Sequence, residues 1–140
     1  MNEDKQSMLQ SRFPVLYRYI GKSGTCMKYG LEVGDGWFEL LWKLSEDLEK
    51  LDPSLVALQV KQKFGTLRFY LEQSDLEMRH EAGQMFSFAP QANDERVRAR
   101  IRQAEEASAS ICEQCGALGK LRNDGYVHVS CDVCETARQR

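Results

Sequence analysis

The stretch "CEQCGALGKLRNDGYVHVSCDVC", residues 112 to 134, sets two Cys-x-x-Cys pairs on either side of fifteen residues. No other feature restricts the fold so strongly. A Cys-x-x-Cys turn presents two thiolates from one tight bend, and zinc takes four such ligands as a tetrahedron. Gly116 supplies the freedom such a turn needs as the backbone bends back under the sulfurs. Between the pairs, "GKLR" and "YVHVS" read as short strands around "NDG", a strong hairpin signal. The spacing therefore predicts a zinc ribbon with Cys112, Cys115, Cys131 and Cys134 as ligands to one structural Zn2+. Two pairs joined by a hairpin do not suit redox chemistry, which would place one Cys-x-x-Cys at the start of a helix after a buried strand. Four thiolates close the coordination sphere, whereas a catalytic zinc keeps one position for water. The fifth cysteine, Cys26, stands alone and reads as a packed or idle thiol.

The metal reading assumes reduced thiols. "MNEDKQSMLQ" at residues 1–10 lacks the basic and apolar regions of a signal peptide. No apolar run reaches the roughly eighteen residues of a membrane span. The expectation is a protein of the bacterial or host cytoplasm with no membrane partner, where paired cysteines bind metal in preference to forming disulfides.

Upstream, hydrophobic periodicity predicts an α+β fold. Residues 1–11 read as a flexible N-terminus, 12–92 as an α+β domain, and 93–140 as a helix plus the C-terminal ribbon. Trp37, Leu41, Leu44, Leu48 and Leu51 recur at helical spacing and form one apolar stripe. Asp35 or Gly36 is the expected cap, and Asp52-Pro53 ends the helix. "VALQVKQ" (56–62) alternates Val56, Leu58 and Val60 against polar neighbours, and "TLRFYLE" (66–72) alternates Leu67, Phe69 and Leu71. With "KFG" as the turn, these form a β-hairpin, a small antiparallel sheet expected to pack on the Trp37 helix. Residues 74–88 are predicted helical. A long helix begins at Asn93 as its cap, with Val97, Ile101, Ala104, Ser108 and Ile111 as its stripe, and delivers the chain into Cys112.

Enzymatic readings find little support. The histidines are His80 and His128. A His-Asn-His nuclease needs further His and Asn residues after the second cysteine pair, and the residues after Cys134 contain neither. A nucleobase deaminase needs His-x-Glu and Pro-Cys-x-x-Cys, which "RHEAG" and "ICEQC" do not match. Gly-x-Ser-x-Gly, P-loop and dinucleotide fingerprints are missing. The expectation is a non-catalytic binding protein.

For the partner, "KQKFGTLRFY" interleaves Lys61, Lys63 and Arg68 with Phe64, Phe69 and Tyr70, a pattern that can stack bases and meet phosphates. Against it, the net charge is −2, and from Asn93 onward eight Lys or Arg residues meet eight Asp or Glu. Arg96, Arg98, Arg100 and Arg102 are about 200° apart around their helix and form no basic stripe. The electrostatics favour a protein target, with nucleic acid as the alternative. The candidate partner surface is Lys61, Lys63, Arg68 and Tyr70, with Arg122, Tyr126 and His128 from the ribbon.

Taken together, "GLEVGDGWFELL", "VKQKFGTLRFY" and "AEEASASICEQCGALGKLRNDGYVHVSC" resemble a family of small zinc-ribbon proteins of phages and prophages. The resemblance covers roughly residues 12–72 and 101–134. Cys134 stands where those relatives often carry His, and either residue can ligate zinc. The resemblance implies a genomic context and no particular mechanism. That context points to an inhibitor or binder of a host factor, a defence component or a toxin.

Overall fold

The stripe that opens with Trp37 organises the molecule. In the computed structural model, which describes residues 1–72 and 94–139, Asp35–Trp37 form a 3-10 turn and Phe38–Leu51 form a helix. Trp37, Leu41, Leu44 and Leu48 are fully buried, while Leu51 is half-buried at the helix end. The expected cap differs. No side chain caps this helix; Asp35 accepts instead from the Asn2 N–H at 2.7 Å and from Asn2 Nδ2 at 3.0 Å. Asp35 thus anchors the start of the chain.

That start is a helix, α1 (Glu3–Arg12), where a flexible segment is expected. Asn2 caps it by accepting from the Lys5 N–H. Leu9 and Phe13 are buried, and Phe13 meets Trp42 edge-on at 5.3 Å. Gln6 Oε1 accepts the Leu31 N–H at 2.8 Å. Long-range packing holds residues that are too polar to announce a helix. The Phe38–Leu51 helix is α2.

The hairpin comprises β1 (Ala57–Lys63) and β2 (Thr66–Leu71), antiparallel with Lys63 opposite Thr66 and Lys61 opposite Arg68. Phe64 (φ 55) and Gly65 (φ 83) both sit in the left-handed region, which defines a two-residue type I′ turn. On β2 the inward set is Leu67, Phe69 and Leu71, as alternation predicts. On the first strand Val56 and Val60 are buried as alternation predicts, but Leu58 is not. A register irregularity between Ala57 and Gln59 leaves Leu58 half-buried and turns Ala57 inward.

Helix α3 (Glu95–Ser108) lies against both α2 and the hairpin. Asp94 caps it by accepting from the Arg96 N–H; the expected cap, Asn93, lies outside the described residues. So do the helix predicted at 74–88 and His80. Val97, Ile101, Ala104 and Ser108 are buried along its stripe. Arg100 Nε donates to Asp47 Oδ2 on α2 at 2.7 Å. The hydrophobic core runs from Leu9 through α2 and the hairpin to Val97, Ile101 and Ala104, so it draws on residues from both sides of the expected 92/93 boundary. The chain then forms a second antiparallel pair, β3 (Lys120–Asn123) and β4 (Val127–Ser130), and a short helix, α4 (Asp132–Arg138). Among the described residues the architecture is α+β with two small antiparallel sheets. No helix among the described residues is long and apolar enough to cross a membrane.

Candidate metal centre

Each cysteine pair sits in a turn fixed by backbone hydrogen bonds. Around the first, the Cys112 N–H donates to Ala117 O at 2.7 Å and the Gly116 N–H to Cys112 O at 2.9 Å. Gly116 takes a φ of 82°, as the tight bend requires. Around the second, Cys131 stands at the start of α4, and the Cys134 N–H donates to its sulfur at 3.4 Å. β3 and β4 return the chain from one pair to the other through Asp124-Gly125-Tyr126, with Gly125 at φ 97°.

The four sulfurs all lie within 4.8 Å of one another, and Cys115 Sγ is 3.7 Å from Cys131 Sγ. A tetrahedron with metal–sulfur bonds of about 2.3 Å has edges of about 3.8 Å. The donor set therefore suits a single thiophilic ion. Burial resists ionisation of Cys112, but N–H groups of Cys115, Cys131 and Gln114 aimed at its sulfur bring its pKa down to about 6. Hydrogen bonding with the sulfurs of Cys131 and Cys115 pushes Cys134 up to about 12. Four packed thiols cannot all shed protons unless a cation offsets the charge, and a bound metal does this outright.

The first turn is seated on the Gly34–Trp37 segment. The Gly36 N–H donates to Glu113 O at 2.8 Å, the Gly34 N–H to Glu113 Oε1 at 3.1 Å, and Trp37 Nε1 to Ile111 O at 2.9 Å. A Cβ at Gly34 would strike Glu113 O, and one at Gly36 would strike Cys112 O and Gly116 N. The glycines of "GDGW" are thus the floor on which the first cysteine turn rests. On the other side, a Cβ at Gly65 would strike Leu121 Cδ1, so the β3–β4 pair leans on the turn of the first hairpin. Gln62 ties the two together, with its Nε2 donating to Val127 O at 3.1 Å and its Oε1 accepting the Gly65 N–H at 3.1 Å.

Behind the second pair lies a polar cluster that the sequence reading misses. His128, expected on the partner surface, is only 4% exposed, so that assignment is corrected. Its Nε2 lies 2.7 Å from Glu135 Oε2, and its Nδ1 lies 2.8 Å from Tyr126 O. Ser130 Oγ donates to the same Glu135 oxygen at 2.7 Å, and Arg138 approaches the other at 3.2 Å. His128, Ser130 and Arg138 hold the Glu135 carboxyl well below the usual carboxylate range. Asp124 joins His128 and Glu135 in a group of metal-ligating types. However, the Arg138 guanidinium lies 3.4 Å from Asp124 and 3.2 Å from Glu135 and supplies the positive charge there. The signal for α4 was available: Asp132 and Glu135 open it and Arg138 closes it.

The remaining candidates separate into two places. Lys61, Lys63, Arg68 and Tyr70 share the outer face of the first hairpin. Tyr126 is exposed on the second hairpin, where its ring stacks on His128 at 5.0 Å. Arg122 is engaged, donating to Ser130 O at 3.1 Å and Asp132 Oδ1 at 2.8 Å. Cys26 is exposed and lies outside the cysteine cluster. No protein-family profile, curated protein or solved structure matches this chain.

Proposed function

We propose that Cys112, Cys115, Cys131 and Cys134 hold one Zn2+, making the C-terminal segment a zinc ribbon, and that the protein is a non-catalytic binder of a protein target. Zinc suits four thiolates at tetrahedral spacing and supplies cross-linking here, since four protein ligands leave no position for water. The observation that carries the binding reading is the join between the two hairpins. The cysteine-anchored β3–β4 pair backs the Phe64-Gly65 turn, and Phe64 projects beyond it, 67% exposed in a left-handed conformation that a non-glycine residue adopts at a cost. An exposed aromatic in a strained, buttressed turn fits a contact residue. The phage or prophage context implied by the resemblance would make the target a host factor, a defence component or a toxin.

One observation favours the second reading, nucleic acid. Lys61 stands directly opposite Arg68 on the outer face, and neither they nor Lys63 form a direct ion pair among the described residues. Like charges directly opposed on a sheet are unfavourable unless an anion answers them. Fluorescence anisotropy with single-stranded oligonucleotides across a salt series separates the two. A protein binder gives no affinity at physiological salt. Binding whose log affinity falls with log salt at a slope near −0.7 per phosphate contact would replace the protein reading.

A further inference from the structure

Among the described residues, two two-stranded sheets present four outer edges, and three of them are covered by the chain itself. Along β1, the Glu32 N–H donates to Val60 O and the Gln62 N–H to Glu32 O. Along β2, the Leu67 N–H donates to Ser108 Oγ at 2.8 Å and the Phe69 N–H to Glu105 Oε2 at 3.2 Å. Along β4, Val129 O accepts the Glu113 N–H at 3.0 Å and Val127 O accepts from Gln62 Nε2 at 3.1 Å. Folded proteins protect strand edges because an open edge is a template for another strand.

The edge of β3 is treated differently. Val127 and Val129 turn their carbonyls away from β3, so their opposed partners Asn123 and Leu121 face away from β4. Ser110 O covers this edge as far as the Gly119 N–H, at 2.9 Å. Beyond it, the N–H and C=O groups of Leu121 and Asn123 meet nothing among the described residues. Lys120, Leu121 and Asn123 are exposed, and Arg122 is part-buried. Leu121, 56% exposed, lies on the side of the Phe64-Gly65 turn. Lys120 and Arg122 lie on the other side, where the Asp132 carboxylate is 2.8 Å from Arg122 and 3.9 Å from Lys120. Lys120, with its side chain 69% exposed, is the freer cation on that side.

We propose that the β3 edge docks an extended segment of a partner protein as an added antiparallel or parallel strand, with apolar side chains toward Leu121 and Phe64 and acidic ones toward Lys120. This deepens the protein-binding reading and rests on it. Main-chain hydrogen bonds would supply affinity, and the alternation of apolar and acidic residues would supply selectivity.

The test is selection of a displayed library of random twelve-residue peptides on the zinc-loaded full chain. Enriched peptides should alternate apolar and acidic residues and should slow hydrogen exchange at the Leu121 and Asn123 amides. Asn123→Pro removes an outward N–H without touching the ladder to β4. It should weaken the selected peptides at least about tenfold, with exchange at Arg122 and His128 unchanged as the check on folding. N-methylating alternate amides of the peptide should weaken binding to the same extent. No enrichment, or peptides that bind Asn123→Pro as tightly as wild type, would overturn the proposal. Protection confined to Lys61–Tyr70 would overturn it while leaving the protein-binding reading intact. Binding of oligonucleotides alone would remove that reading as well. A dimer in sedimentation that Asn123→Pro converts to monomer would make the occupant a second copy and overturn the partner segment.

Discussion

Gly36 is the residue on which the first cysteine turn depends most directly. Its φ is not positive, so crowding and not conformational freedom is what demands glycine there. A methyl group would meet the backbone of Cys112 and Gly116, and neither can move without displacing a ligand. Gly36→Ala should therefore cost about 1–3 kcal/mol, read as a lower urea midpoint, and should weaken zinc in a chelator competition. Unchanged metal affinity would show that the turn does not rest on this floor. Phe64 poses the opposite case. Its left-handed φ of 55° suits Asn or Gly far better than an aromatic residue. Phe64→Asn should stabilise the fold by about 1 kcal/mol while lowering affinity for any target that uses the turn. A variant that becomes less stable would mean that Phe64 is held there by packing, against its 67% exposure.

At the scale of elements, α3 protects the β2 edge with Ser108 and Glu105, and Glu105 does so at an electrostatic cost. Burial raises its pKa above the usual carboxylate value; the Phe69 N–H, Arg68 and Arg102 only partly offset this. A raised folded-state pKa means that Glu105 contributes stability below the normal carboxylate range and loses it as pH rises through the raised value. Gln at this position keeps an oxygen for the Phe69 N–H and never ionises. Glu105→Gln should therefore match wild type near pH 4 and exceed it at pH 7 in urea midpoint. An advantage of wild type at pH 7 would mean that the carboxylate's attraction to Arg68 and Arg102 outweighs burial. The stripes of α2 and α3 were legible in the sequence because a helix writes its buried face into local spacing, and so was β2. β1 was legible only in part: Val56 and Val60 are buried as alternation predicts, but an irregularity between Ala57 and Gln59 turns Ala57 inward in place of Leu58 without leaving a mark in composition. The four cysteines announced themselves by spacing. Their setting did not: Gly34 and Glu113 are 79 residues apart in sequence, and nothing near His128 forecasts that it pairs with Glu135.

Across the whole molecule, these contacts decide how far removal of the proposed zinc would be felt. A ribbon hanging from α3 would unfold alone on chelation and leave the α+β core unaware. The geometry argues otherwise, because the first cysteine turn closes over the Gly34–Trp37 segment, and Trp37 at 0% exposure donates its indole N–H to Ile111 O. Trp37 also opens the apolar stripe of α2, so the first cysteine turn and the core share one residue. Structural zinc contributes about 10–16 kcal/mol apparent in small domains, comparable to the entire stability of an ordinary domain. The chain has two tryptophans, and Trp42→Phe leaves Trp37 as the sole indole reporter. Chelation of that variant should shift Trp37 emission to the red at the same chelator concentration at which about one equivalent of zinc is released. Cys131→Ser should reproduce the shift without chelator. The amides of α3 from Val97 to Ala104, which are packed on α2 and distant in sequence from the cysteines, should exchange faster but remain measurably protected. If zinc leaves while Trp37 emission stays at its native wavelength, the turn is an appendage of the core, and the contacts of Gly34, Gly36 and Trp37 with residues 111–113 carry no coupling.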